Sequence, residues 1–175
     1  MVNEQLIKKC IKGVKSAQRT LYLNYAKKMF VVSYRYTNQK EDAEEIVSEG
    51  FIKIFQNLSK IVYHDEVRLQ AWMKKIIVNE CLMFLRKKKR MIYDEHEVRF
   101  LETRPEVEST LALKDTLKAI LSLPVGYRTV FNLYVIEGYS HKEIAQKLNI
   151  AESTSRSQLT KAKTMLQSRI AKTNL

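Results

Sequence analysis

The stretch "EIAQKLNIAESTSRSQLTKAK", residues 143–163, concentrates side chains suited to reading a polyanion. Burying Ile144, Ala145, Leu148, Ile150 and Leu159 together would lock two short helices at a steep angle, and small Ala145 allows a close crossing. Ser153, Thr154, Arg156, Ser157 and Thr160 would then gather at the front of the second helix, flanked by Lys161 and Lys163. Hydroxyls and a guanidinium address base edges in a DNA major groove, and ammonium groups address phosphates. Ser140 followed by Glu143 forms a capping box that marks where the first helix starts. Asn149 stands where the turn needs a left-handed residue, a conformation Asn tolerates. Ser155 falls on the apolar stripe and costs packing unless its hydroxyl is satisfied. The plainer alternative is a helical hairpin with a solvated polar face.

A second stretch has the opposite sign. "EDAEEIVSEGFIKIF", residues 41–55, sets five carboxylates among its first nine residues, in a chain whose formal net charge is +12. Ala43, Ile46, Val47, Gly50, Phe51, Ile54, Phe55 and Leu58 follow the i, i+3, i+4, i+7 rule, so one face of this helix is core. Its other face can be solvated, with a Glu49–Lys53 pair worth about 0.3–0.5 kcal/mol.

The elements that carry these stretches are helical throughout. The chain has 175 residues, 45% of them hydrophobic, with four Gly and two Pro, which favours long helices joined by few tight turns. Leu6, Ile7, Cys10, Ile11 and Val14 have helical spacing in residues 3–15, and Ser16 is placed to cap a second helix running to about Tyr36. After the polar turn "TNQK" and the acidic helix, "SKIVYHDE" is a loop. "VRLQAWMKKIIVNECLMFLRKKKR" is then a long helix with Leu69, Trp72, Met73, Ile76 and Met83 or Phe84 inward, ending in five consecutive cations, Arg86 to Arg90. One or two cations would satisfy a helix dipole. Pro105 opens the C-terminal block, with a helix through Leu111, Leu117, Ile120 and Leu121. A turn at Pro124–Gly126, a helix with Val130, Leu133 and Tyr134 inward, and a stop at Gly138 precede the capping box.

Charge divides the chain. Residues 1–90 carry 19 basic and 9 acidic side chains, residues 91–110 carry 2 and 6, and residues 111–175 carry 10 and 4. The expected organisation is all-α, with two small helical domains at 1–90 and 111–175 joined by a flexible acidic linker at 91–110. The basic excess favours nucleic acid or an anionic membrane surface as partner. No apolar run approaches a membrane span and the N-terminus lacks signal-peptide order, so a cytoplasmic protein is expected. Cys10 and Cys81 read as core fillers. His64, His96 and His141 form no metal-spaced pair and no Gly-rich phosphate loop occurs, so neither metal, cofactor nor catalysis is expected.

The chain resembles the bacterial extracytoplasmic-function (ECF) sigma factors, the compact sigma-70 class that retains regions two and four. The resemblance rests on "YAKKMFVVSYRYTNQKEDAEEIVSEGFIKIFQNL", "LQAWMKKIIVNECLMFLRKKKR" and "LPVGYRTVFNLYVIEGYSHKEIAQKLNIAESTSRSQLTKAK", in that order and separation. It implies a non-enzymatic factor that binds core RNA polymerase, through the β′ clamp helices and β flap, and directs promoter-specific initiation. The helix from Asp42 to Leu58 would dock on the clamp helices. Its outward Glu41, Glu45, Ser48, Ile52 and Gln56, with Asp42 and Glu49, mix carboxylates with an exposed isoleucine, as protein interfaces do. Asn79, in "KIIVN", falls at the family's base-holding asparagine, and the loop from Lys60 to Glu66 is where the family captures a flipped base. Tyr63 and His64 could stack on that base. Lys74, Lys75, Arg86, Lys87, Lys88, Lys89 and Arg90 would neutralise phosphates, and Trp72 follows the apolar stripe as core. The resemblance also implies a linker threading toward the polymerase channels and an anti-sigma partner.

Two rivals remain on the residues alone. A transcription regulator could use the same helix-turn-helix with residues 1–90 as a dimerisation or sensor domain, and an RNA-binding or membrane-surface protein could rely on the basic run alone.

Overall fold

The computed structural model describes residues 2–94 and 111–173, with side-chain surroundings for 2–88 and 115–169. The regular structure described is all helical. It comprises α1 (Glu4–Ile11), α2 (Lys15–Thr37), α3 (Lys40–Asn57), α4 (Glu66–Asp94), α5 (Leu111–Leu121), α6 (Val125–Phe131), α7 (His141–Leu148) and α8 (Glu152–Thr173). A 3-10 turn, Leu58–Lys60, follows α3, and a π-helical turn, Asn132–Ile136, follows α6. Two compact units emerge, residues 2–34 with 39–94, and residues 35–38 with 111–173. Pro105 and the connector from 95 to 110 lie outside the described residues, as do the side chains of Lys89 and Arg90.

In the first unit the Asn3 side chain accepts from the Leu6 N–H at 2.9 Å and starts α1, which buries Ile7 and Cys10. Ile11 and Val14 are exposed rather than inward. The helix stops at Ile11 and Gly13 turns the chain at φ +77, so the 3.6-residue period does not reach Val14. Helix α2 begins at Lys15, which puts Ser16 inside the first turn instead of at the cap; its carbonyl accepts from the Thr20 hydroxyl at 2.9 Å. Asn38, left-handed at φ +58, makes the expected turn into α3.

Helix α3 buries Ala43, Ile46, Val47, Gly50, Phe51 and Ile54, and Leu58 completes that face. It packs on α4, whose buried stripe is Leu69, Met73, Ile77 and Cys81, with Val78 and Leu82. Ile76 is half-buried and Met83 exposed, since the long helix turns its core face along i, i+4 steps. Both cysteines are buried and free, as core fillers are, and burial raises the Cys10 thiol pKa. Two ion pairs fasten the helices. Lys53 meets Glu80 at 2.6 Å rather than Glu49, and Lys88 meets Asp42 at 2.6 Å.

The Ile77 side chain of α4 rests against Gly50 of α3, where an added Cβ would collide with Ile77 Cδ1. Gly50→Val would gain at most about 1 kcal/mol of helix propensity, against about 1–3 kcal/mol for forcing Ile77 off its position in a filled core. The expected result is net destabilisation, read as a lower urea midpoint. An unchanged midpoint would mean the α3–α4 interface has room to spare.

In the second unit Arg128 is buried, and its guanidinium donates to the carbonyls of Leu121 at 3.0 Å and Leu123 at 3.1 Å, tying the end of α5 to α6. Pro124 is the cap of α6, so Gly126 lies inside the helix instead of in a turn. The π-helical turn closes with the Glu137 N–H donating to the Asn132 carbonyl at 2.9 Å. Val130 and Leu133 are buried as the periodicity predicts, but Tyr134 is 38% exposed. A turn with i→i+5 bonds holds more residues than an α-turn, so the face shifts and Tyr134 swings outward. Helices α6 and α7 both pack on α8.

Candidate nucleic-acid interface

Helices α7 and α8 form the expected helix-turn-helix. Both halves of the capping box are made: the Glu143 N–H donates to the Ser140 hydroxyl at 3.3 Å, and the Ser140 N–H donates to Glu143 Oε2 at 2.8 Å. Asn149 takes the left-handed turn position at φ +53. Ile144, Leu159 and Ala162 are buried, while Ala145, Leu148 and Ile150 are half-buried. Ser153, Arg156, Ser157, Thr160, Lys161 and Lys163 are all exposed, and Thr154 is half-buried. The Ser157 hydroxyl donates to the Thr154 carbonyl at 3.0 Å and the Thr160 hydroxyl to the Arg156 carbonyl at 3.1 Å. Their lone pairs are thereby presented outward as acceptors, which suits base amino groups. Arg156 rests on Glu152 at 3.4 Å, an exposed i, i+4 pair that a stronger anion can displace.

Ser155 is 0% exposed, and its hydroxyl is satisfied by His141 Nδ1 at 2.9 Å. The imidazole also stacks on Tyr134, with centroids 4.4 Å apart and planes 23° from parallel. Burial lowers the His141 pKa, reinforced by Arg156 and Lys163 and partly opposed by Glu152, so the neutral ring persists to lower pH than in a free histidine. Nearby, burial and then the Glu137 and Glu143 carboxylates raise the Tyr139 hydroxyl pKa.

In the first unit the loop between the 3-10 turn and α4 borders an open cavity of about 200 Å³ lined by Ile61, Val62, Tyr63, His64, Asp65, Arg68, Leu69 and Trp72. That is below the roughly 300–1,000 Å³ of drug-sized pockets. His64 and Arg68 are exposed and Tyr63 half-buried, its hydroxyl donating to the Val2 carbonyl at 3.3 Å. Trp72, expected in the core, is half-buried and forms part of the cavity wall. Beneath the loop, burial first, then Glu66 and Tyr63, push the Tyr25 hydroxyl pKa up. Along α4, Lys75 and Lys87 are exposed, Arg86 is exposed, and Lys74 and Asn79 are half-buried. Lys88 is exposed and Asp42 half-buried, and the two pair at 2.6 Å.

On α3 the outward residues Glu41, Glu45, Ser48, Glu49 and Gln56 are exposed, and Ile52 is 50% exposed. Tyr22 of α2 meets the buried Phe51 with tilted rings, centroids 4.7 Å apart, and Phe51 meets Phe55 likewise at 5.9 Å. No cluster of side chains able to hold a metal occurs among the described residues. No described helix is long and apolar enough to cross a membrane.

Comparison with known proteins agrees with this geometry. Sigma-70 region 2 matches residues 21–91 and sigma-70, region 4 matches residues 113–166. The chain is 29% identical over 185 residues to the ECF RNA polymerase sigma factor SigW of Bacillus subtilis (strain 168), covering 95% of this chain and 98% of that one. It is 24% identical over 180 residues to the RNA polymerase sigma-H factor of Pseudomonas aeruginosa, covering 92% and 90%. The fold is similar to that of the sigma factor RpoE of Bartonella quintana, solved with the anti-sigma factor NepR. That likeness has a TM-score of 0.57 at 21% identity and covers 87% of this chain and 96% of that one. The chain belongs to the sigma-70 family, in its ECF class. Its role is promoter-directed transcription initiation with core RNA polymerase, and its family comprises initiation factors rather than catalytic enzymes.

Proposed function

We propose that this sigma factor divides promoter recognition between its two units. Helix α8 reads the distal element with Ser153, Arg156, Ser157 and Thr160, Thr154 closing the edge of the surface and Lys161 and Lys163 meeting phosphates. The first unit opens the proximal element: the cavity beside Tyr63, His64 and Trp72 takes an unstacked base, Asn79 holds a second, and Lys74, Lys75, Arg86, Lys87, Lys88, Lys89 and Arg90 follow the backbone. The exposed face of α3 docks on the β′ clamp helices, and the second unit on the β flap. Residues 91–110 serve as the acidic linker between domains 1–90 and 111–175. An anti-sigma factor, as in the RpoE complex, is the expected regulator, and the cytoplasm the expected location.

The observation that supports this reading best is the two-sidedness of α8: Ser155, Leu159 and Ala162 are buried while Arg156, Ser157, Thr160 and Lys163 are exposed. The test is electrophoretic shift of promoter DNA with and without core polymerase, followed by start-site mapping. Little specific shift by the free chain and defined start sites with core enzyme are expected. Tight sequence-specific binding by the free chain would instead favour an operator-binding regulator.

A further inference from the structure

We propose that His141 is a positioning residue of the reading helix: from the first turn of α7 it holds the Ser155 hydroxyl and so fixes the rotation of α8 about its own axis. The inference rests on α8 being the reader of the distal element. Ser155 immediately precedes Arg156 and Ser157, and its side chain points the opposite way from theirs. Its neighbours on the buried stripe, Leu159 and Ala162, make apolar contacts, which are non-directional and tolerate small rotations. The 2.9 Å bond from Ser155 to His141 Nδ1 is directional and does not. Base-edge recognition needs side chains held within about 0.5 Å and 10–20° of their working geometry, a tolerance that a rolling helix would exceed.

The histidine is itself held. Its ring lies against Tyr134, which reaches it because the π-helical turn delivers that tyrosine to the outer face. The π-turn, α7 and α8 therefore meet at one imidazole. Stability alone does not account for Ser155. Alanine at this position would be a better helix former and would bury no hydroxyl. The bond to His141 roughly offsets that propensity difference, and what serine adds is an oriented contact one residue from the reading surface.

The experiment uses holoenzyme assembled from core polymerase and the full chain, on a mapped promoter with its distal element either intact or scrambled. The readout is the ratio of transcription from the two templates, alongside thermal melting of each free variant. Ser155→Ala is expected to melt within a few degrees of the wild-type temperature, its gain in helix propensity offsetting the lost bond, yet to lower the ratio about 3- to 10-fold, the effect of one directional hydrogen bond. His141→Ala lowers it as much, and the double variant no further. His141→Asn, whose side-chain amide occupies the Nδ1 place, keeps the ratio within about 2-fold of wild type. Wild-type ratios in both alanine variants overturn the proposal, as does loss confined to His141→Ala together with lowered melting, which marks a purely structural histidine. A ratio of one in the wild-type holoenzyme would overturn the reading of α8 itself, and this inference with it.

Discussion

Ile52→Asp is expected to weaken association with core polymerase by roughly 30-fold or more, and Glu45→Lys by several-fold, with both proteins folded normally. Ile52 is half exposed in the middle of the outward face of α3, on the side away from the buried Ala43, Ile46, Val47 and Phe51. Burying a fully exposed isoleucine contributes about 1.5–3 kcal/mol, so covering the exposed half of Ile52 contributes about 0.8–1.5 kcal/mol, about 4- to 12-fold in Kd. Replacing it with a carboxylate adds the cost of desolvating an unpaired charge. Glu45 is exposed, and a charge at an interface rim acts mainly on association rate and salt dependence. Surface substitutions of this kind leave stability within about 0.5 kcal/mol. The measurement is titration of labelled full-length chain with core enzyme at two salt concentrations. Wild-type affinity in both variants would remove α3 as the docking helix. Asp42 is a poor probe of the same face, because it holds Lys88 at 2.6 Å and its removal would loosen α4 from α3.

That last point shows what was legible in the sequence and what was not. The signals that survived contact with the structure are confined to one or two turns, although the cap at Ser16 and the turn at Pro124–Gly126, equally local, did not. The apolar stripe of α3, the Ser140–Glu143 capping box, the left-handed Asn149 and the stop at Gly138 each depend on residues a few positions apart. Features set by a distant partner could not be read. Lys53 has a carboxylate at i−4, but it pairs with Glu80, 27 residues away, because packing α4 on Gly50 brings that carboxylate in. Ser155 looked like a fault in an apolar stripe until the fold supplied His141. Tyr134 and Trp72 were misplaced for a further reason: a periodicity argument gives the direction of a side chain but not how far the next element extends over it. The π-helical turn shifts the phase at Tyr134, and Trp72 lines a cavity wall beside the loop before α4.

The cavity yields the second large effect. Tyr63→Ala is expected to reduce promoter opening by about 5- to 150-fold, the equivalent of the roughly 1–3 kcal/mol that stacking on one base provides. Tyr63→Phe keeps the ring but loses the hydroxyl that reaches the Val2 carbonyl, and should cost no more than about 10-fold, since a single neutral hydrogen bond contributes about 0.5–1.5 kcal/mol. Permanganate reactivity of unpaired thymines in the complex with core polymerase measures both. Salt then separates stacking from charge. A stacking loss shifts the opening constant without changing its dependence on salt, whereas Lys75→Ala or Lys87→Ala, removing an exposed cation from the proposed backbone track, should reduce the slope of log K against log salt by about 0.7–0.9 per lost phosphate contact. Lys88→Ala should lower the slope less, because that ammonium is already engaged by Asp42. Opening by Tyr63→Ala equal to wild type would show that the ring does not meet the base. A changed slope for Tyr63→Ala would show that the loop acts by placing phosphates, and the role of this cavity would pass from base capture to backbone guidance.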